Sequence, residues 1–205
     1  ALAPPAAPRA LRRLVELALS GCHRVRDAAL APCDGPASAG PVAAGAAGEG
    51  PLCALSLRAC QLVSLAALAR VARCNRALMR LDVSFTCLDA DALLALVAAH
   101  SPFLCALRAN CLDGGTDEGV ARLARSPCAK ALEVLHIEGY SELTFRAAGD
   151  IRKNCPALVS LNISGCSGLS EESVFELALD LKRLNSFATS RIGLSTRCQF
   201  ALVNM

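Results

Sequence analysis

Tryptophan is absent from these 205 residues, tyrosine occurs once at Tyr140, and six phenylalanines complete an aromatic content of 3%. A core with so little aromatic bulk must be built from thin layers of Leu, Ala, Val and Cys with closely approaching backbones. Charge of one sign is also lacking: 21 Lys and Arg oppose 18 Asp and Glu, for a net +3. That balance gives no electrostatic case for a nucleic-acid or membrane partner. Apolar runs are short. Leu93–Ala99 falls far below the roughly 20 residues that span a bilayer, so no membrane segment is expected.

Several chemical signatures are missing too. The twelve cysteines include no CxxC pair, and many fall inside apolar patterns. They read as buried thiols in a reducing compartment, most simply the cytoplasm, rather than as a disulfide framework. His23, His100 and His136 are scattered, so a zinc site, which needs converging ligands, is not expected. His136 and Cys111 could approach each other on neighbouring strands, but a nucleophilic pair also needs an oxyanion hole that nothing supplies. Gly114-Gly115-Thr116 lacks the spacing and lysine of a phosphate loop. The expectation is a protein that is not an enzyme, with no cofactor, no metal and no small-molecule substrate.

What is present is a repeat. Leu158-Val-Ser-Leu161-Asn-Ile163-Ser-Gly-Cys166 aligns without a gap on Leu14-Val-Glu-Leu17-Ala-Leu19-Ser-Gly-Cys22. Leu52, Leu78, Leu104, Leu132 and Leu184 open equivalent segments, so the opening leucines are spaced by 38, 26, 26, 28, 26 and 26 residues. Such regularity is the mark of a repeat architecture. The longest interval contains Gly35–Gly50, a Gly/Ala/Pro tract read as a flexible insertion at 35–50.

Each LxxLxL segment suits a short strand with its leucines turned inward. About a dozen residues later, apolar groups recur three and four apart, as in Leu93-Leu94-Ala-Leu96-Val97 and Val174-Phe175-Glu-Leu177. That is the spacing of one helix face. Capping oxygens and acids precede these helices at Asp89-Ala-Asp91, Thr116-Asp117-Glu118 and Ser170-Glu171-Glu172. Ser101-Pro102, Ser126-Pro127 and Cys155-Pro156 end them. One such unit cannot bury its apolar face alone, so the units must stack.

The expected fold is α/β, a right-handed leucine-rich-repeat solenoid of about seven units, with a curved parallel sheet inside and helices outside. Residues 11–194 form the solenoid, 1–10 a Pro/Ala-rich lead-in, and 195–205 a cap or truncated end. The opening Ala1 and the proline-rich start suggest one domain of a longer or processed chain.

The 26-residue unit, the cysteine at its ninth position (Cys22, Cys60, Cys166), the helix start Leu169-Ser170-Glu171 and the junction Asn154-Cys155-Pro156-Ala157-Leu158 resemble the cysteine-containing subtype of leucine-rich repeat. The resemblance covers roughly residues 11–200. Thr86, Leu112, Tyr140 and Ile192 depart from the ninth-position cysteine, and a buried Tyr140 hydroxyl would need a partner or solvent. The resemblance implies a non-catalytic protein–protein interaction module, similar to the substrate-binding repeats of F-box proteins that serve as ubiquitin ligase adaptors. The alternative it implies is a scaffold subunit of a large cytoskeletal, organellar or ribonucleoprotein assembly. No F-box precedes Leu14 in these residues.

Inward leucines leave the third, fifth and seventh positions of each unit on the concave face. Arg58, Arg80, Asp82, Arg108, His136 and Glu138 then share adjacent strands about 5 Å apart, with Phe85 at the eighth position beside them. An aromatic among arginines is the composition of a partner-binding hot spot. The plainer reading is solvated strand residues, with Arg80–Asp82 and Arg108–His136–Glu138 balancing one another. Both stand at this point.

Overall fold

The computed structural model describes residues 14–33, 52–196 and Cys198. The lead-in at 1–10, the insertion at 35–50 and most of the 195–205 segment lie outside the described residues.

Seven three-residue strands alternate with six helices: β1 (Glu16–Ala18), α1 (Asp27–Leu30), β2 (Ala54–Ser56), α2 (Leu65–Cys74), β3 (Arg80–Asp82), α3 (Ala90–His100), β4 (Ala106–Arg108), α4 (Asp117–Ala124), β5 (Val134–His136), α5 (Phe145–Asn154), β6 (Ser160–Asn162), α6 (Glu171–Asp180) and β7 (Ser186–Ala188). The strands form one sheet in chain order, every neighbour parallel. Equal repeat positions pair throughout: Leu17, Leu55, Leu81, Leu107, Leu135, Leu161 and Phe187 make one row. The chain is an α/β leucine-rich-repeat solenoid.

Register follows from burial. A slip of one residue would turn every leucine to water. The fourth-position leucines from Leu55 to Leu161 are buried, together with Leu57, Val83, Ala109, Ile137 and Ile163 at the sixth position. They meet Leu68, Leu93, Leu123, Ile151 and Leu177 of the helices in one continuous core. The end units are looser. Leu14, Leu17, Leu19, Leu184 and Phe187, in the first and last described units, are only partly buried.

The ninth-position cysteine has a physical role. Cys60 Sγ donates to the Leu19 carbonyl at 3.0 Å and Cys166 Sγ to the Ile137 carbonyl at 3.4 Å, each the sixth residue of the preceding unit. A small hydrophobe with one weak donor suits that buried site. Tyr140 fills the same column with its ring, and its hydroxyl is buried with no hydrogen-bond partner. Among the described residues the hydroxyl thus has neither the partner nor the solvent contact expected of it.

Helix starts are tied together across units. Asp27 accepts from the N–H and hydroxyl of Ser64, the α2 cap, at 2.7 and 2.6 Å. Asp91 does the same for Thr116 (2.9 and 2.5 Å), and Asp117 for Thr144 (2.8 and 2.5 Å). Glu171 holds Ser195 in the same manner. One carboxylate thus satisfies the next helix's cap, whose hydroxyl in turn accepts from its own first turn.

Candidate functional site

The sheet face opposite the helices is open to solvent, and its strand positions form rows read off the register. The fifth-position row runs Ser56, Asp82, Arg108, His136, Asn162, Ala188. The third-position row runs Glu16, Ala54, Arg80, Ala106, Val134, Ser160, Ser186. Five of the sequence-predicted residues therefore lie where expected. Arg80 and Asp82 share β3, Arg108 sits on β4, His136 on β5, and Phe85 stands in the turn after β3.

The seventh position behaves differently. Ser84, Asn110 and Ser164 are buried rather than on the open face. Their side chains serve neighbouring backbone: Ser84 Oγ accepts from Asn110 N at 3.2 Å, Asn110 Oδ1 from Glu138 N at 3.0 Å, and Ser164 Oγ from Ser190 N at 3.1 Å. The strands end after three residues, so the chain has already begun to turn inward there. Only Arg58 and Glu138 of this column carry charge, and Arg58 is exposed.

The charge pairing also differs from the sequence expectation. Arg80 reaches past the small Ala54 to Glu16, 3.3 Å away on β1, rather than pairing with Asp82. Asp82 Oδ1 instead accepts from Ser84 N at 3.0 Å. Glu138 pairs with Arg191 and accepts from Asn162 Nδ2 at 3.2 Å. His136 Nε2 lies 2.9 Å from Ser160 Oγ. Desolvation, followed by the Arg108 charge, holds the His136 pKa below its usual value. Among the described residues neither Arg58 nor Arg108 forms an ion pair with a carboxylate.

The eighth position supplies what the sequence reading missed. Gly21, Ala59, Phe85, Cys111, Gly139, Gly165 and Arg191 all have positive φ. From Gly21 to Gly165 each donates its N–H to the seventh-position carbonyl of the next unit, at 2.7–2.8 Å. The left-handed turn is therefore imposed by the repeat, and three units meet it with glycine. The glycines at 21, 139 and 165 were the available signal. Phe85 meets it with φ +62°, an uncommon conformation for a bulky side chain that costs about 1–2 kcal/mol. Phe85 is 38% exposed, and the Arg58 guanidinium carbon lies 4.4 Å from the ring centroid.

Among the described residues no three His, Cys, Asp or Glu side chains are grouped to hold a metal, and no helix is long and apolar enough to cross a membrane. Desolvation, then the Glu138 charge, raises the Cys111 pKa. On the helical side a groove of about 520 Å³ lies between α5 and α6, lined by Phe145, Arg146, Gly149, Lys153, Ser170 and Glu172 among others. Phe145 is 67% exposed there.

No protein-family model and no curated protein matches this sequence. Among solved structures it is similar to a chain of the crystal structure of the Rad7 and Elc1 complex in yeast, at 14% identity and a TM-score of 0.41. The likeness covers 69% of this chain and 51% of that one, so the chain spans about half the length of the solved chain it matches.

Proposed function

We propose that this chain is a non-catalytic recognition module that docks another protein on the open face of its sheet, centred on β3 to β5. The observation that carries this reading is Phe85. A bulky aromatic occupies a left-handed turn position where three other units use glycine, and it stands partly in water under an arginine. Ala59, Cys111 and Arg191 meet the same turn without glycine, and among these positions Phe85 puts an aromatic ring there. Arg58, Arg80, Asp82, Arg108, His136 and Glu138 supply the polar surroundings, and an aromatic anchor with arginines is the usual make-up of a hot spot.

The resemblance to F-box repeats gives the reading its finer form: the solenoid presents a protein to an enzyme carried by other subunits, as a ubiquitin ligase adaptor does. The buried cysteines Cys60, Cys128, Cys155 and Cys166 fit a structural role, and a reducing compartment, the cytoplasm being the simplest, goes with that reading. Cys111 is assigned no nucleophilic role in this reading, since such a role also needs an oxyanion hole beside it.

Changing Arg80 and Arg108 together to glutamate and isolating the chain with cross-linked partners tests the reading. Loss of the partner cross-linked to the open face supports it; undiminished capture overturns it. A second reading, a scaffold subunit held by its helical side, draws on exposed Phe145 and the groove between α5 and α6. It predicts release by Phe145→Asp and not by the arginine reversals.

A further inference from the structure

Four arginines border the open face, and they are not equivalent. Arg80 is engaged by Glu16 and Arg191 by Glu138, whereas Arg58 and Arg108 have no carboxylate partner among the described residues. Both belong to the units around Phe85, one on either side of β3. Arg58 lies against its ring, and Arg108 stands on the next strand beside Asp82, whose carboxylate is engaged by the turn at Ser84. Beyond Phe85 the eighth-position column continues through Cys111 to Gly139 and Gly165, two residues without side chains. A Cβ at Gly165 would lie 3.4 Å from the Gly139 Cα, so the backbones there form a close bare shelf. The patch combines two guanidiniums outside any ion pair among the described residues, a half-exposed aromatic ring and a low floor leading away from it.

We infer that the partner's docking element is an extended acidic peptide segment, with carboxylates received by Arg58 and by Arg108 and an apolar side chain between them packed on Phe85. This rests on the open face being the docking surface. A guanidinium takes a carboxylate through paired hydrogen bonds, and burying either arginine without one would be costly. Glu16, Asp82 and Glu138 lie on the same face. They disfavour a continuous polyanion such as RNA while leaving room for single carboxylates. A nucleic-acid strand also needs successive stacking platforms, and this patch offers Phe85 alone.

The test uses the full chain and four fluorescein-labelled probes of similar length. One is a peptide rich in Asp and Glu with one Phe and one Leu. The second replaces its acids with Lys, the third replaces its Phe and Leu with Ser, and the fourth is a single-stranded RNA. Anisotropy titrations should show the first binding at least tenfold tighter than the other three. Arg58→Gln with Arg108→Gln should weaken it tenfold or more, and Phe85→Ala several-fold. Arg122→Gln, on the outer face of α4, should change nothing.

Preference for the lysine peptide or the RNA overturns the inference, as does acidic-peptide binding insensitive to Arg58 and Arg108. Absence of measurable binding by the first probe also overturns it. If the first probe fails while the Arg80 and Arg108 reversals still release a cross-linked protein, the open face remains a docking surface for a partner of other chemistry. If those reversals release nothing, the reading beneath the inference fails as well.

Discussion

The ring of Tyr140 occupies the space that a side chain at Gly115 would fill: a Cβ built there would lie 2.2 Å from Cδ2 of the ring. Gly115 stands immediately before the α4 cap Thr116, where other units carry Val63, Leu143 and Leu169. Tyr140 stands in the next unit where Cys60 and Cys166 appear. One unit gave up its hydrophobic residue and the next enlarged its own, which conserves core volume across the junction.

The two positions should therefore be strongly coupled. Gly115→Val alone is expected to cost about 3 kcal/mol, at the upper end of overpacking penalties. Tyr140→Cys alone leaves a large void and should cost a similar amount, about 3 kcal/mol. Together they restore the arrangement used by the other units, and the pair should cost far less than the sum. Urea midpoints at constant slope would measure the cycle; simple additivity would rule out the compensation.

Tyr140→Phe probes the hydroxyl separately. It is buried without a hydrogen-bond partner among the described residues, and burial drives its pKa far upward. An unsatisfied buried hydroxyl costs about 1–3 kcal/mol, so its removal should stabilise the chain by about 1 kcal/mol. A fall in stability would mean that the hydroxyl is satisfied in solution.

The chain of carboxylates along the helix starts should carry cooperativity between units. Asp117 accepts from Thr144 N and Oγ1, and from Ala147 N at 3.3 Å. Asp117→Ala should cost about 2–3 kcal/mol, the range for hydrogen bonds to a charged group with a partner left bare. In α5 the corresponding position holds Phe145, and the Ser170 hydroxyl turns to Ser173 instead. Phe145→Asp should therefore raise the melting temperature by supplying the missing link. Hydrogen exchange at the α5 and α6 starts would localise both effects.

Phe85→Gly separates stability from recognition. Relief of the left-handed strain should stabilise the chain by about 1 kcal/mol, less the modest loss of the Arg58 contact. Partner capture should weaken at the same time. A destabilised Phe85→Gly chain would show that the ring is there for packing.

Acid should destabilise the protein through its histidines. Desolvation, then Arg108, lowers the pKa of His136, with Asp82 and Glu138 opposing; desolvation, then Arg73 and Arg76, lowers that of His100. Between these depressed values and the unfolded value of about 6.5 the unfolded chain binds more protons. Stability therefore rises with pH across that window and is lost as pH falls through it. His136→Gln should flatten part of the loss in melting temperature between pH 7.5 and pH 5, leaving the His100 share.

Periodicity was enough to place the strands and helices. Leucines every 26 residues must share one row if each is to be buried, and a row of equal positions requires a parallel in-register sheet. Caps at Asp89, Thr116 and Ser170 were legible because capping is local chemistry. Candidate site residues at the third and fifth positions followed from strand alternation alone. Ion pairing did not, since Arg80 passes over Ala54 to a strand two steps away, and Glu138 bonds to an arginine 53 residues later.

Sequence by itself determined the repeat, its register and the faces of its elements, because burial of periodic apolar groups admits one solution. The tertiary structure alone decided that the seventh position turns inward at Ser84, Asn110 and Ser164, that the eighth is left-handed in every described unit, and that Tyr140 occupies the space beside Gly115. Those features arise where the backbone of one unit meets that of the next, and such contacts leave no period of their own in the chain.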